Sequence, residues 1–319
     1  MRRLLLASAG AALLALPSAS AAVPECFGAA ARDPEHPCSN PALRMAARPG
    51  LVRSLITPSH PCKETEKIGQ PDVRADGGLA ICEFGVPTSR ATRTVALLGD
   101  SHAMAWRAAV AGALRVLGWH GISMARSHCS FSAALRNMRN PDDITGCRRF
   151  NRRVVEWLSA HPEVTAVFAA HQNGGTPYIT SDGVSEFETQ VRGFAAAWTA
   201  LPASIQHVFV IRDNPSNHGA NHVQRCIVSA RRAGASPGRF CGRPRRDALR
   251  PDAHVRAVGR LNDPRYTLVD LTSFMCSSRS CFPVVGGARV TKDGTHLTRM
   301  FARSLGPFLA RAALAITLR

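Results

Sequence analysis

The sequence predicts a doubly wound α/β fold. Three observations carry that prediction. First, short apolar runs recur after residue 93: "TVALLG" from Thr94, "GISMAR" from Gly121, "VTAVFAA" from Val164, "QHVFVIR" from Gln206 and "YTLVDL" from Tyr266. Continuous apolar runs, rather than alternating ones, are expected of parallel strands buried on both faces. Second, stretches with helical periodicity separate most of these runs, as strand–helix–strand units require. Third, a polar cluster follows each of the first four: "GDSH", "RSHCS", "HQNGG" and "RDNPSNH". In an open parallel sheet, ligands bind at the carboxyl ends of the strands. The chemistry is therefore expected in these clusters.

Each element has its own signal. After Ser101, the residues Ala103, Trp106, Val110, Leu114 and Leu117 recur at three- and four-residue steps and predict an amphipathic helix. In "CRRFNRRVVEWLSAHPEV", Phe150, Val154, Trp157 and Leu158 form one stripe with arginines opposite. "HLTRMFARSLGPFLARAAL" predicts a closing helix with Leu297, Met300, Phe301, Leu305 and Phe308 inward, kinked or broken at Gly306-Pro307. Residues 22–92 are rich in Pro, Cys and charge. They read as an irregular N-terminal segment tied by disulfides, ahead of an α/β domain over 93–319.

The first residues are MRRLLLASAGAALLALPSASAAVPE. Two arginines, an apolar run from Leu4 to Leu16 and Ala19-Ser20-Ala21 have the order of a secretory signal peptide over 1–21. A retained N-terminal anchor is the alternative; the run is short for a membrane span. Export agrees with the cysteines. All ten follow residue 21, which reads as disulfides in an oxidising compartment. No C-x-x-C pair and no cysteine–histidine cluster at zinc spacing occurs, so no metal and no cofactor is expected. Cys276–Cys281 in "CSSRSC" is the best-supported pair, because a short loop joins the two. Proximity alone suggests Cys129–Cys147, Cys226–Cys241 and Cys62–Cys82.

Lysine and arginine number 40 against 22 acidic residues, a formal net charge of +18. Such a surface attracts anionic polymers, and for an exported chain those of the cell envelope are nearest. Nucleic acid is not expected: the basic residues are scattered, aromatics are few and no binding motif is present.

Ser101 lies at a predicted strand-to-helix turn, where a serine is either a helix cap or a nucleophile placed at the positive end of a helix. A nucleophilic serine needs a base. "TKDGTHLTRMF" supplies one: Asp293 and His296 form D-x-x-H just ahead of the last helix. That spacing lets the carboxylate hold the imidazole Nδ1–H and leaves Nε2 to accept the serine proton. An aspartate cap followed by an exposed histidine is the simpler alternative. His171 is a second candidate base, since it too follows a strand. His102 is expected to pack beneath the turn, and Asp100 to hold its backbone.

Together, "LLGDSHA" and "DGTHL" resemble the first and last motif blocks of the SGNH, or GDSL-like, hydrolases. The similarity is closer to the extracytoplasmic SGNH domains fused to acyltransferase-3 membrane proteins that O-acetylate envelope polysaccharides. Cys129 after the second strand, "GCRRFN" and "LVDLTSFMCSSRSC" also match that branch. The resemblance spans about Thr94 to Leu309. It implies a flavodoxin-like three-layer α/β/α fold with a central parallel sheet. It further implies Ser101 as nucleophile, His296 as base and Asp293 as its orienting acid. An acyl-serine would pass its acyl group to water or to a sugar hydroxyl.

Two places depart from the family. Where the broad family has G-x-N-D, this chain reads His171-Gln172-Asn173-Gly174; Asn173 or Gln172 is the candidate oxyanion donor, the alternative being a Gly-rich turn with no such role. Ser127-His128 stands where a glycine donor is usual. The implied substrate is an acylated envelope glycan or a small ester, with a separate membrane protein as a possible acyl donor. A lipase-like esterase and a non-catalytic glycan-binding protein are the rivals.

Overall fold

The computed structural model describes residues 23–317. The expected signal peptide lies outside them. A seven-stranded sheet forms the centre, from β1 (Lys63–Ile68), β2 (Leu79–Gly85), β3 (Arg93–Gly99), β4 (Trp119–Ala125), β5 (Val164–Ala170), β6 (His207–Ile211) and β7 (Tyr266–Val269). The strand order is β1-β2-β4-β3-β5-β6-β7. From β4 to β7 all pairings are parallel, while β1 and β2 are antiparallel additions at one edge. The order reverses at β3, so the switch point falls where β3 ends, at Gly99 and Asp100.

Helices cover both faces: α1 (Ser101–Leu117), α2 (Pro141–Ala160), α3 (Glu186–Thr199), α4 (Ala220–Arg232), α5 (Ala253–Leu261) and α6 (Arg299–Thr317). One core joins α1 and α6 to the sheet through Trp106, Val110, Leu114, Phe168, Phe209, Phe301 and Leu305. The opposite core is built on Phe150, Val154, Leu158, Phe194 and Trp198 from α2 and α3. Successive residues of β3 and β5 serve opposite cores: Leu97 and Phe168 face one, Leu98 and Val167 the other. That two-sided burial is why these strands read as continuous apolar runs.

The structure corrects three sequence expectations. Residues 22–92 are not irregular throughout, because β1 and β2 extend the central sheet. β1 is "KETEKI", exposed along nearly its whole length, so it carries no apolar signal; charge on an outer strand discourages edge-to-edge pairing. The last helix is neither broken nor stopped at Gly306-Pro307. Instead Gly306 lies against Gly112 of α1, and a Cβ on Gly306 would stand 2.8 Å from the Gly112 Cα. Met300, expected inward, is exposed.

Five disulfides occur: Cys26–Cys38, Cys62–Cys82, Cys129–Cys147, Cys226–Cys241 and Cys276–Cys281. They include all four pairs expected from spacing. Among the described residues no helix is long and apolar enough to cross a membrane.

Candidate active site

β3 ends in Gly99 with φ 139°, and a Cβ there would overlap the Ala170 carbonyl oxygen of β5. Glycine is therefore required for the chain to turn so close to its neighbour. The next residue, Asp100, is the N-cap of α1, and its Oδ1 accepts the His102 N–H at 2.9 Å. The cap is thus Asp100 and not Ser101, which differs from one of the two sequence readings. Ser101 is the first helical residue. Its N–H has no intrahelical acceptor, and the helix end favours negative charge beside it.

The Ser101 hydroxyl stands 2.8 Å from His296 Nε2. His296 Nδ1–H donates to Asp293 Oδ2 at 2.7 Å. The carboxylate on Nδ1 selects the tautomer that leaves Nε2 an acceptor. Asp293 Oδ1 also accepts the N–H groups of Thr295 and His296, at 3.0 and 2.9 Å. Burial raises the Asp293 carboxyl, but the His296 and backbone hydrogen bonds outweigh it and hold the group well below the usual carboxylate range. Ser101, His296 and Asp293 are thus brought into one hydrogen-bonded chain, although 195 residues separate the serine from the histidine.

The D-x-x-H turn is held from beneath by the loop after β6. Asn214 Nδ2 donates to the Thr295 carbonyl at 2.6 Å, and the Asn217 N–H donates to the Gly294 carbonyl at 2.6 Å. Gly294 has φ 108°, and a Cβ there would meet the His218 carbonyl oxygen at 2.9 Å. In the same loop, Asp213 Oδ1 accepts from His102 Nδ1 at 2.7 Å. The His102 ring is buried and its centroid lies 4.7 Å from that of His296. Burial lowers the proton affinity of His102, yet Asp213 and then Asp100 raise it further, so its net shift is upward.

A second buried network fixes the loop after β5. Arg136 is 3% exposed, and its Nη2 reaches Asp100 Oδ2 at 3.4 Å. It also donates to the carbonyls of Gln172 and Gly174, at 2.9 and 2.8 Å. Ser130 Oγ donates to Asp100 Oδ2 at 3.0 Å, and Tyr178 Oη donates to Ser130 Oγ at 3.1 Å. The Gln172 N–H also ends on Asp100. One buried carboxylate therefore ties the serine turn to the neighbouring loop.

Asn173 differs from the expected oxyanion donor. Its N–H donates to Asp213 Oδ2 at 2.8 Å, and its Nδ2 donates to the carbonyls of Pro251 and Arg250, at 3.0 and 3.4 Å. These carbonyls compete with a substrate oxygen for the amide hydrogens. His171, the second candidate base, packs on His254 and Phe194 at ring-centroid distances of 3.7 and 4.6 Å. Burial lowers its proton affinity to a pKa of about 4.

A pocket of about 240 Å³ lies next to the triad: His102 and Thr295, the sequence neighbours of Ser101 and His296, line it with Asn173, Asp213 and Asn214, while the three triad residues themselves do not. Among the described residues no cluster of histidine, cysteine, aspartate and glutamate could hold a metal ion.

A mostly parallel α/β/α sheet with a serine at its switch point and D-x-x-H before the last helix defines an SGNH-type domain. A sequence model of the SGNH domain fused to AT3 domains matches residues 61–311, and the chain belongs to that family. The match begins just ahead of β1, so the two edge strands lie within the family's domain. No curated protein matches the chain. Among solved structures, it is similar to the periplasmic domain of a lipopolysaccharide acetyltransferase from Salmonella ser. Paratyphi A. The TM-score is 0.54 at 10% identity, covering 72% of this chain and 90% of that one. At that identity the likeness concerns the fold.

Proposed function

We propose that this protein is an extracytoplasmic serine esterase or O-acyltransferase that acts on O-acyl, foremost O-acetyl, esters of envelope glycans. The observation that carries the proposal is the Ser101–His296–Asp293 chain, with contacts of 2.8 and 2.7 Å. Family membership supports ester chemistry of this kind. The disulfides support an oxidising, extracytoplasmic compartment, reached through the signal peptide read at 1–21. The acetyltransferase domain of similar fold supports acetyl as the acyl group.

In the mechanism, Ser101 Oγ attacks the ester carbonyl while His296 Nε2 takes its proton. Asp293 keeps the ring oriented and stabilises the imidazolium. The tetrahedral oxyanion is met by the Ser101 N–H and the positive end of α1. His296 then gives the proton to the leaving alcohol, and an acyl-serine remains. Water or a sugar hydroxyl, deprotonated by His296, attacks the acyl-serine and restores Ser101. Hydrolysis and transfer share these residues; the choice rests on how well an acceptor hydroxyl displaces water. The polar lining of the pocket favours a glycan over a lipid chain. A membrane protein that supplies acyl groups would serve the transfer direction, and the basic surface would hold anionic envelope polymers.

The test is hydrolysis of a short-chain chromogenic acetate by the purified protein. Ser101→Ala and His296→Ala are each expected to lower kcat by about 10³-fold or more. Equal rates for wild type and Ser101→Ala would refute the proposal.

A further inference from the structure

The pocket beside the triad has a chemistry of its own. Arg243 and Arg250 both line it, together with Gln172, Asn173, Ser216 and Asn217. Among the described residues, neither arginine forms an ion pair. The Arg243 side chain is held through Nη1, which donates to the Ser216 carbonyl and hydroxyl at 3.2 Å. The guanidinium of Arg250 lies over Gly174, where a Cβ would stand 4.0 Å from its Nη1. Asp213 is the sole carboxylate of the lining, and it is 5% exposed. Its oxygens accept from His102 Nδ1, the Asn214 N–H and the Asn173 N–H. The pocket thus presents two guanidinium groups whose charge no carboxylate answers.

Two polar atoms of the lining residues also lack partners. Asn214 is 5% exposed and His102 is 1% exposed, yet Asn214 Oδ1 and His102 Nε2 make no hydrogen bond. The 2.6 Å donation of Asn214 Nδ2 to the Thr295 carbonyl fixes which amide atom is the oxygen. Neither atom has accessible surface, so neither is offered to a ligand; the polar lining open to one comes from residues such as Gln172, Ser216, Asn217 and Thr295. A hydroxyl group both donates and accepts. The volume, about 240 Å³, falls below the range typical of drug-sized ligands and suits a single sugar ring. Its apolar side chains are Ala248 and Leu249 alone, which leaves no channel for an acyl tail.

We propose that this pocket is the subsite for the sugar that carries or receives the acyl group, and that this sugar is acidic. Its hydroxyls meet the amide-lined walls, and its carboxylate or phosphate is read by Arg243 and Arg250. Guanidinium groups bind either anion through paired N–H donors. The inference rests on the ester-chemistry reading above and names the substrate class for that site.

Binding is measured on Ser101→Ala protein by NMR titration with glucuronic acid, glucose 6-phosphate and glucose at fixed salt. At least one of the two anionic sugars is expected to bind about 10-fold or more tightly than glucose. The carboxylate and phosphate arms show which anion the arginines prefer. Arg250→Ala changes an exposed side chain, so the fold is retained, and it is expected to cut the preference to about 3-fold or less. Arg152→Ala removes the same charge from an exposed site on α2 and is expected to leave the preference intact. Equal binding of all three sugars, binding of none, or a preference that survives Arg250→Ala would overturn the proposal. The binding assay does not depend on turnover. Failure of the esterase reading would appear instead as wild-type protein inactive on the chromogenic acetate.

Discussion

Ser101 is available for chemistry because Asp100 performs the capping. "GDSH" alone did not divide those roles, since serine and aspartate are both good N-caps. Three-dimensional contact divides them, with the Asp100 carboxylate on backbone N–H groups and the Ser101 hydroxyl on His296. The engaged amide of Asn173 makes a prediction at this scale. Asn173→Ala should lower kcat for the chromogenic acetate by less than about 10-fold, whereas loss of a true oxyanion donor costs about 10²–10³-fold. A loss in the larger range would return Asn173 to the oxyanion site. Ser101, Asp293 and His296 could be singled out from the sequence because each lies in a short motif with fixed spacing, and the structure adds their contact. Asp213 and Asn214 were less legible. "RDNPSNH" could be placed after a strand, but nothing in it says that one residue will hold His102 and the next the His296 turn.

At the scale of elements, the β5 loop and the serine turn are joined through a buried ion pair. Removing one member of such a pair leaves the other charged and unmatched. Arg136→Met should therefore lower stability by about 3–5 kcal/mol, read from urea unfolding. A change under about 1 kcal/mol would mean that Asp100 does not depend on the guanidinium. Arg136 gave no sequence signal: it is one arginine among many, and apart from Ser130 its side chain's hydrogen-bond partners lie 36 to 40 residues away. The parallel strands were legible because burial on both faces makes them uniformly apolar. The outer strand β1 was not, because its side chains face solvent and its place in the sheet is held by backbone pairing with β2. Gly306-Pro307 misled for a related reason. The pair reads locally as a helix breaker, but Gly306 provides the close contact that α1 and α6 need.

Across the whole molecule, buried histidines give the stability a pH dependence. His171 is held by burial at a pKa of about 4, against roughly 6.5 when unfolded. The unfolded chain therefore takes up this proton first as pH falls. The associated stability is present above about pH 6.5 and is lost toward pH 4, at up to about 1.4 kcal/mol per pH unit. His254, lowered by burial and by His171, acts in the same direction. His102 acts oppositely: its raised affinity stabilises at low pH and fades as pH rises through its folded value. Urea midpoints should fall from pH 6.5 to 4, and His171→Phe should flatten that slope by about one proton; an unchanged slope would contradict the assignment. The central claim is that Ser101 is the nucleophile, and covalent labelling tests it most directly. Wild-type protein is treated with an alkyl phosphonate and its peptides are mapped by mass spectrometry. One adduct on Ser101, formed markedly more slowly after Asp293→Ala, is the result expected here. An adduct on another serine, or none on active protein, would contradict it.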